Sequence, residues 1–68
     1  MRLSARNQLP GTIVSIKEGA VEAQVVIDVG GLHVVSVVTA DAVKDLGLAE
    51  GSKVVAIIKA DSVMLAAD

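Results

Sequence analysis

Between Val21 and Thr39 the chain alternates apolar and polar side chains in two runs, with Gly30-Gly31 between them. Val21, Ala23, Val25, Ile27 and Val29 share one parity, and Glu22, Gln24, Val26 and Asp28 share the other. Strict alternation places successive side chains on opposite faces of a strand. Two adjacent glycines accept positive φ at both central positions of a two-residue hairpin turn. Beyond the turn, Leu32, Val34, Ser36 and Val38 alternate with His33, Val35, Val37 and Thr39. Such a turn pairs Val29 with Leu32, Ile27 with Val34, Val25 with Ser36 and Ala23 with Val38. On the other face it pairs Asp28 with His33 and Val26 with Val35. Turn length and alternation demand the same register, and a slip of one residue would send the apolar set to the wrong face.

The second face of this hairpin carries three valines, Val26, Val35 and Val37, that a monomer's solvent face does not need. The chain has only 68 residues, of which 53% are hydrophobic, with a mean hydropathy of +0.68. A domain of this size buries only about 60% of the surface that its unfolded chain exposes, so a disulfide, a metal or a partner usually completes it. There is no cysteine and a single histidine, His33, which removes disulfides, thiolate sites and a multi-histidine metal site within one chain. Self-association remains, with the three valines as the expected contact.

Elsewhere the signals are also mostly those of strands. Thr12–Lys17 reads as a strand with Glu18-Gly19 as its turn. Pro10 lacks a ladder donor, so Gln8–Gly11 reads as an edge, a bend or a bulge. Asp41–Leu46 reads as a short helix capped by Thr39 or Asp41, with Val43 and Leu46 facing inward. Gly47 suits the left-handed position after the helix, and Leu48 the apolar contact that follows it. Glu50-Gly51-Ser52 is a turn, Lys53–Lys59 a strand with Val54, Ala56 and Ile58 on one face, and Ser62–Ala66 a last short strand. The expected fold is all-β: a small barrel of five to six strands, like the oligonucleotide/oligosaccharide-binding (OB) type, with one short helix between strands 3 and 4.

Several function classes are disfavoured. The chain has no Phe, Trp or Tyr for stacking bases, and its net charge is −2, so a nucleic-acid-binding barrel lacks both platforms and a phosphate footprint. No apolar run is long enough to span a membrane, and MRLSARNQLP lacks a signal-peptide core. A cytoplasmic location is expected. His33 has no nucleophile motif beside it, the carboxylates are scattered, and Gly30-Gly31 is followed by neither a helix nor a Lys, so no enzyme is expected. Two donor-rich segments remain: Ser4-Ala5-Arg6-Asn7-Gln8, and Lys59-Ala60-Asp61-Ser62 at the end of a strand. A tetrahedral oxyanion offers only acceptors, and hydroxyl, amide, guanidinium and ammonium groups answer it. The alternative is a solvated charged terminus and a lysine at a strand end.

Ser4-Ala5-Arg6-Asn7-Gln8-Leu9-Pro10-Gly11 resembles the SARNQLxG signature that opens Mop (TOBE-type) molybdate-binding domains. The resemblance continues through Thr39-Ala40-Asp41-Ala42-Val43, Leu46-Gly47-Leu48, Glu50-Gly51, Ile57-Ile58-Lys59-Ala60 and Ser62-Val63-Met64-Leu65. It covers nearly the whole chain and is similar to the free-standing form, molbindin, as a single domain over residues 1–68. It implies a homohexamer, a trimer of dimers, holding molybdate or tungstate between subunits for molybdenum homeostasis, with no further cofactor. Carried over by position, Ser4, Ala5, Arg6, Asn7, Lys59 and Ala60 match one side of the family's dimer-interface site. Thr39 matches a hydroxyl donor of the neighbouring subunit, and Ser62 lies near. Ala42 stands where the family often has a serine, so one hydroxyl is absent. Competing expectations are an OB-type nucleic-acid binder and a structural oligomer without ligand.

Overall fold

The computed structural model describes residues 4–68; the first three residues of the expected 1–68 domain lie outside that range. Four strands follow in chain order: β1 (Asn7–Glu18), β2 (Glu22–Val29), β3 (Leu32–Thr39) and β4 (Lys53–Ile58). One helix, α1 (Ala40–Asp45), lies between β3 and β4, and a 3₁₀ turn spans Ala60–Ser62. The strands form one antiparallel sheet in the order β3-β2-β1-β4.

The β2–β3 hairpin has the register that its turn dictates, from Glu22 opposite Thr39 to Val29 opposite Leu32. Gly30 and Gly31 both have positive φ, 59° and 91°. The Asp28 carboxylate accepts a hydrogen bond from the Gly31 amide at 3.1 Å, which fastens the turn. The inward set of this hairpin supplies most of the core: Ala23, Val25 and Ile27 are buried, together with Ile13 of β1 and Val43 of α1. Val38, Leu48, Val54 and Ala56 pack around them.

Strand β1 departs from the sequence expectation. It runs unbroken from Asn7 rather than from Thr12, and of the edge, bend or bulge expected at Gln8–Gly11 it is the edge that is found, with Pro10 opposite Val55. Over residues 7–11 the strand has registered partners on β4 alone, so a missing donor is tolerated at Pro10. The bulge lies further on: Ile13 pairs with Ile27, but Ser15 pairs with Val26, leaving Val14 as the extra residue. A bulge reverses the parity of a strand. Ile13 and Ile16, three positions apart, therefore both pack into the core while Val14 faces out. Gly11 marks a second constraint. A β-carbon there would lie 2.5 Å from the Asp28 carbonyl oxygen and 2.7 Å from Ile27 Cγ2, so β1 and β2 approach this closely only without a side chain.

Helix α1 is fixed by its caps. The Thr39 hydroxyl accepts from the Ala42 amide at 3.0 Å. At the other end the Gly47 amide bonds the Lys44 carbonyl and the Leu48 amide bonds the Val43 carbonyl, a paired closure with Gly47 at φ 64°. This closure turns Leu48 onto the core, and Leu46, expected inward, is 71% exposed. Leu46 is the residue on which the helix ends, so the chain bends away before its side chain can follow Val43. The next turn docks on β1: Gly51 donates to the Ile13 carbonyl and Ile13 to the Ser52 carbonyl, at 2.8 and 2.9 Å.

The expected last strand, Ser62–Ala66, is not part of the sheet. Among the described residues, those after the 3₁₀ turn have no strand to pair with, and Met64 and Leu65 are 92% and 93% exposed. The sheet is thus four-stranded and open among the described residues, with β3 and β4 as its edges. Between those edges lies an apolar trough of about 860 Å³, lined by Val34 and Val38 on one side and Val54, Ala56 and Ile58 on the other.

Candidate functional site

Antiparallel pairing of β1 with β4 places the entry of one beside the exit of the other. Asn7, the first residue of β1, lies opposite Ile58, the last of β4. Extending that register outward sets Arg6 across from Lys59. There the chain forms a shallow pocket of about 280 Å³, lined by Ser4, Ala5, Arg6, Lys59, Ala60 and Asp61. Two segments from opposite ends of the sequence thus meet through strand pairing alone.

Both sides of the pocket are held locally. On the β1 side, the Gln8 side-chain amide donates to the Ala5 carbonyl at 3.1 Å and ties the entering segment to the strand. On the β4 side, the Ser62 amide donates to the Lys59 carbonyl at 2.9 Å, closing the 3₁₀ turn that carries Ala60 and Asp61. Arg6, Lys59 and Asp61 are all exposed, so their charges face solvent or a ligand rather than a low-dielectric interior. The lining combines a planar guanidinium fork, a point-charge ammonium and a hydroxyl with one carboxylate. Two cations against one acid favour an anion, and a pocket this open can be completed by a second molecule.

Of the residues expected from the sequence, Ser4, Ala5, Arg6, Lys59 and Ala60 line the pocket. Asn7 is the adjoining half-buried strand residue, and Ser62 follows the lining in the 3₁₀ turn. Thr39 is not brought to it. Strand β3 is the edge opposite β4, and Thr39 lies at the end of β3 remote from the pocket, paired with Glu22. Its hydroxyl oxygen accepts the Ala42 amide, which leaves the hydroxyl proton for another acceptor. Ala42 itself offers only this amide. Sequence reasoning missed Asp61 as a lining group and Gln8 as a tether. Both lie inside the quoted motifs, but only the strand register shows what each adjoins. His33 is exposed on the hairpin and lies opposite Asp28, whose carboxylate is engaged by the turn. Among the described residues no cluster of His, Cys, Asp or Glu could hold a metal ion, and no helix is long and apolar enough to cross a membrane.

Comparison with known proteins agrees with the fold. The TOBE domain family matches residues 3–65. Molybdenum-pterin-binding protein 3 of Clostridium pasteurianum is 46% identical over 68 residues, covering 98% of this chain and all of that protein. The high-resolution structure of a molybdate-binding protein from Sporomusa ovata superposes with a TM-score of 0.95 at 39% identity, covering 98% of this chain and 100% of that one. The cytoplasmic molybdate-binding protein ModG, solved with molybdate bound, is 49% identical with a TM-score of 0.85, over 88% of this chain and 43% of its own. With a family match across almost the whole sequence and a full-length relative of nearly half identical residues, the chain belongs to the TOBE domain family.

Proposed function

We propose that this protein binds molybdate, and tungstate in the same way, and serves molybdenum homeostasis by holding the oxyanion without covalent change. The observation that carries this reading is the meeting of Arg6 and Lys59, with Ser4, in one pocket at the β1–β4 strand ends. Charge-assisted hydrogen bonds from such groups hold a tetrahedral dianion whose oxygens only accept. The names of the matched proteins, molybdenum-pterin-binding protein 3 and the molybdate-binding proteins of Sporomusa ovata and the ModG structure, support the choice of oxyanion. ModG is described as cytoplasmic, which supports that location here.

The site is completed by assembly. Thr39 is at the far end of the far edge strand, so its hydroxyl reaches an oxyanion at Arg6 and Lys59 only from another copy. Self-association is supported by surface that one chain leaves uncovered: Val35 and Val37 are 58% and 61% exposed, the trough between β3 and β4 is apolar, and Met64 and Leu65 face solvent. We take the assembly to be a homohexamer, a trimer of dimers, in which the open sheet becomes an OB-like barrel of five to six strands.

The test is calorimetric titration of molybdate into wild-type protein and Arg6→Ala, with native mass spectrometry of protein purified from molybdate-containing medium to count subunits and bound oxyanions together. A hydrogen bond to a charged partner contributes about 1.5–3 kcal/mol, and about 1.4 kcal/mol is tenfold in affinity. Arg6→Ala should bind at least about tenfold more weakly, and Arg6→Lys should recover only part, because a point charge lacks the bidentate fork. Wild-type affinity and stoichiometry in Arg6→Ala would place the oxyanion elsewhere.

A further inference from the structure

The pocket carries one group that a purely donating site does not need. Ser4, Arg6 and Lys59 supply donors, yet Asp61 lines the same space. It stands in the 3₁₀ turn closed by the Ser62 amide on the Lys59 carbonyl, so the turn that leads Lys59 out of β4 also brings Asp61 into the pocket lining. An ionised carboxylate only accepts hydrogen bonds. Asp61 therefore faces any bound oxyanion as acceptor against acceptor, unless that oxyanion carries a hydrogen.

Resting on the oxyanion reading above, we infer that Asp61 is a specificity-determining residue that shifts this pocket toward oxyanions bearing a proton. Molybdate, tungstate and sulfate present four bare oxygens. Hydrogen phosphate has the same double charge but one O–H, which donates to the Asp61 carboxylate. Repulsion between Asp61 and the ligand's charge is common to all these dianions and cancels when two of them are compared. The hydrogen bond does not cancel. Sulfate and hydrogen phosphate are the cleanest pair, since they are close in size and equal in charge and differ by the proton.

Asp61→Asn keeps the side chain's shape, removes its charge and adds an N–H donor. Asp61→Ala removes the charge without adding a donor, and is the second variant. In each full-length protein, molybdate is titrated by calorimetry, and bound molybdate is then displaced by phosphate or by sulfate above neutrality, where phosphate is largely the hydrogen-bearing dianion. In wild-type protein, phosphate should displace at about tenfold lower concentration than sulfate, the factor expected of one hydrogen bond to a charged group. Asp61→Asn should abolish or reverse that order and bind molybdate about tenfold more tightly. Asp61→Ala should level the order without reversing it. An unchanged phosphate-to-sulfate ratio in both variants, or no advantage of phosphate in the wild type, overturns the assignment. Arg6→Ala in the same assay separates the two levels. If it keeps wild-type molybdate affinity, the oxyanion is held elsewhere and its assignment to this pocket fails. If it loses affinity while the Asp61 variants leave the ratio unchanged, only the role of Asp61 fails.

Discussion

Gly11→Ala is the substitution whose cost the structure defines most directly. The new β-carbon would sit 2.5 Å from the Asp28 carbonyl oxygen, 2.7 Å from Ile27 Cγ2 and 3.0 Å from Val29 Cγ2. Ordinary contact begins near 3.4 Å, so β1 and β2 would have to part by about 0.9 Å at this point. The nearest obstacle is backbone and cannot rotate away. The strands cannot part freely either, because the ladder continues through Thr12 with Asp28 to Ile13 with Ile27, a pair buried in the core. Overpacking costs about 1–3 kcal/mol, and a backbone obstacle puts this site at the upper end. Alanine restricts the unfolded chain and returns about 0.4–1 kcal/mol, leaving a net loss of about 2 kcal/mol. For a domain of this size that lowers the melting temperature by about 8–16 °C. Far-UV circular dichroism melts of both proteins at one fixed concentration measure it, since melting of an oligomer depends on concentration. Gly19→Ala is the control: its β-carbon meets one atom, the Glu22 carbonyl oxygen at 3.1 Å, and it should lose much less. A Gly11→Ala protein that melts with the wild type would refute the close approach of β1 to β2.

Two further outcomes are expected. Val35→Asp puts a charge on the exposed hairpin face without touching the inward Val34, and should break the assembly into smaller species in analytical ultracentrifugation; a mutant of wild-type size would show that this face is plain surface. Thr39→Ala removes the helix cap, at about 1 kcal/mol, together with a hydroxyl proposed to reach the oxyanion, whereas Thr39→Ser retains both. Thermal melts and molybdate titration should therefore separate alanine from serine in the same direction, and equal behaviour of the two in titration would remove Thr39 from the site.

What the sequence made legible was local. The hairpin register follows from a two-glycine turn and period-2 alternation, and both ends of α1 follow from residues that cap by their own chemistry, Thr39 and Gly47. What it hid was set by partners distant in the chain. The bulge at Val14 exists because Ile13 and Ile16 both meet β2, and a run of β-branched residues reads the same with or without it. Leu46 and Leu48 compete for one inward place, and the Gly47 closure gives it to Leu48. Val63–Leu65 has the composition of a strand but no partner strand among the described residues. The pocket was legible in part: the resemblance named Arg6 and Lys59, but only the β1–β4 register brings them together with Asp61 between strand end and turn.

The placement of the pocket has a thermodynamic consequence. Arg6 and Lys59 both line the pocket at the strand ends, so without an anion their charges oppose one another across it, with Asp61 the one carboxylate in the lining among the described residues. A bound dianion reverses that balance. If Thr39 of a second copy adds its hydroxyl, as proposed, the complete site exists only in the assembled form. A ligand that binds only the assembled state stabilises it by about 2.7 kcal/mol at a hundred times its dissociation constant, for each site. Molybdate would then hold the subunits together as well as being held by them. A chain of 68 residues with no disulfide and a small core has few other sources of that stability. Loss of oxyanion would correspondingly loosen the assembly, and release and dissociation would be coupled through the same two cations.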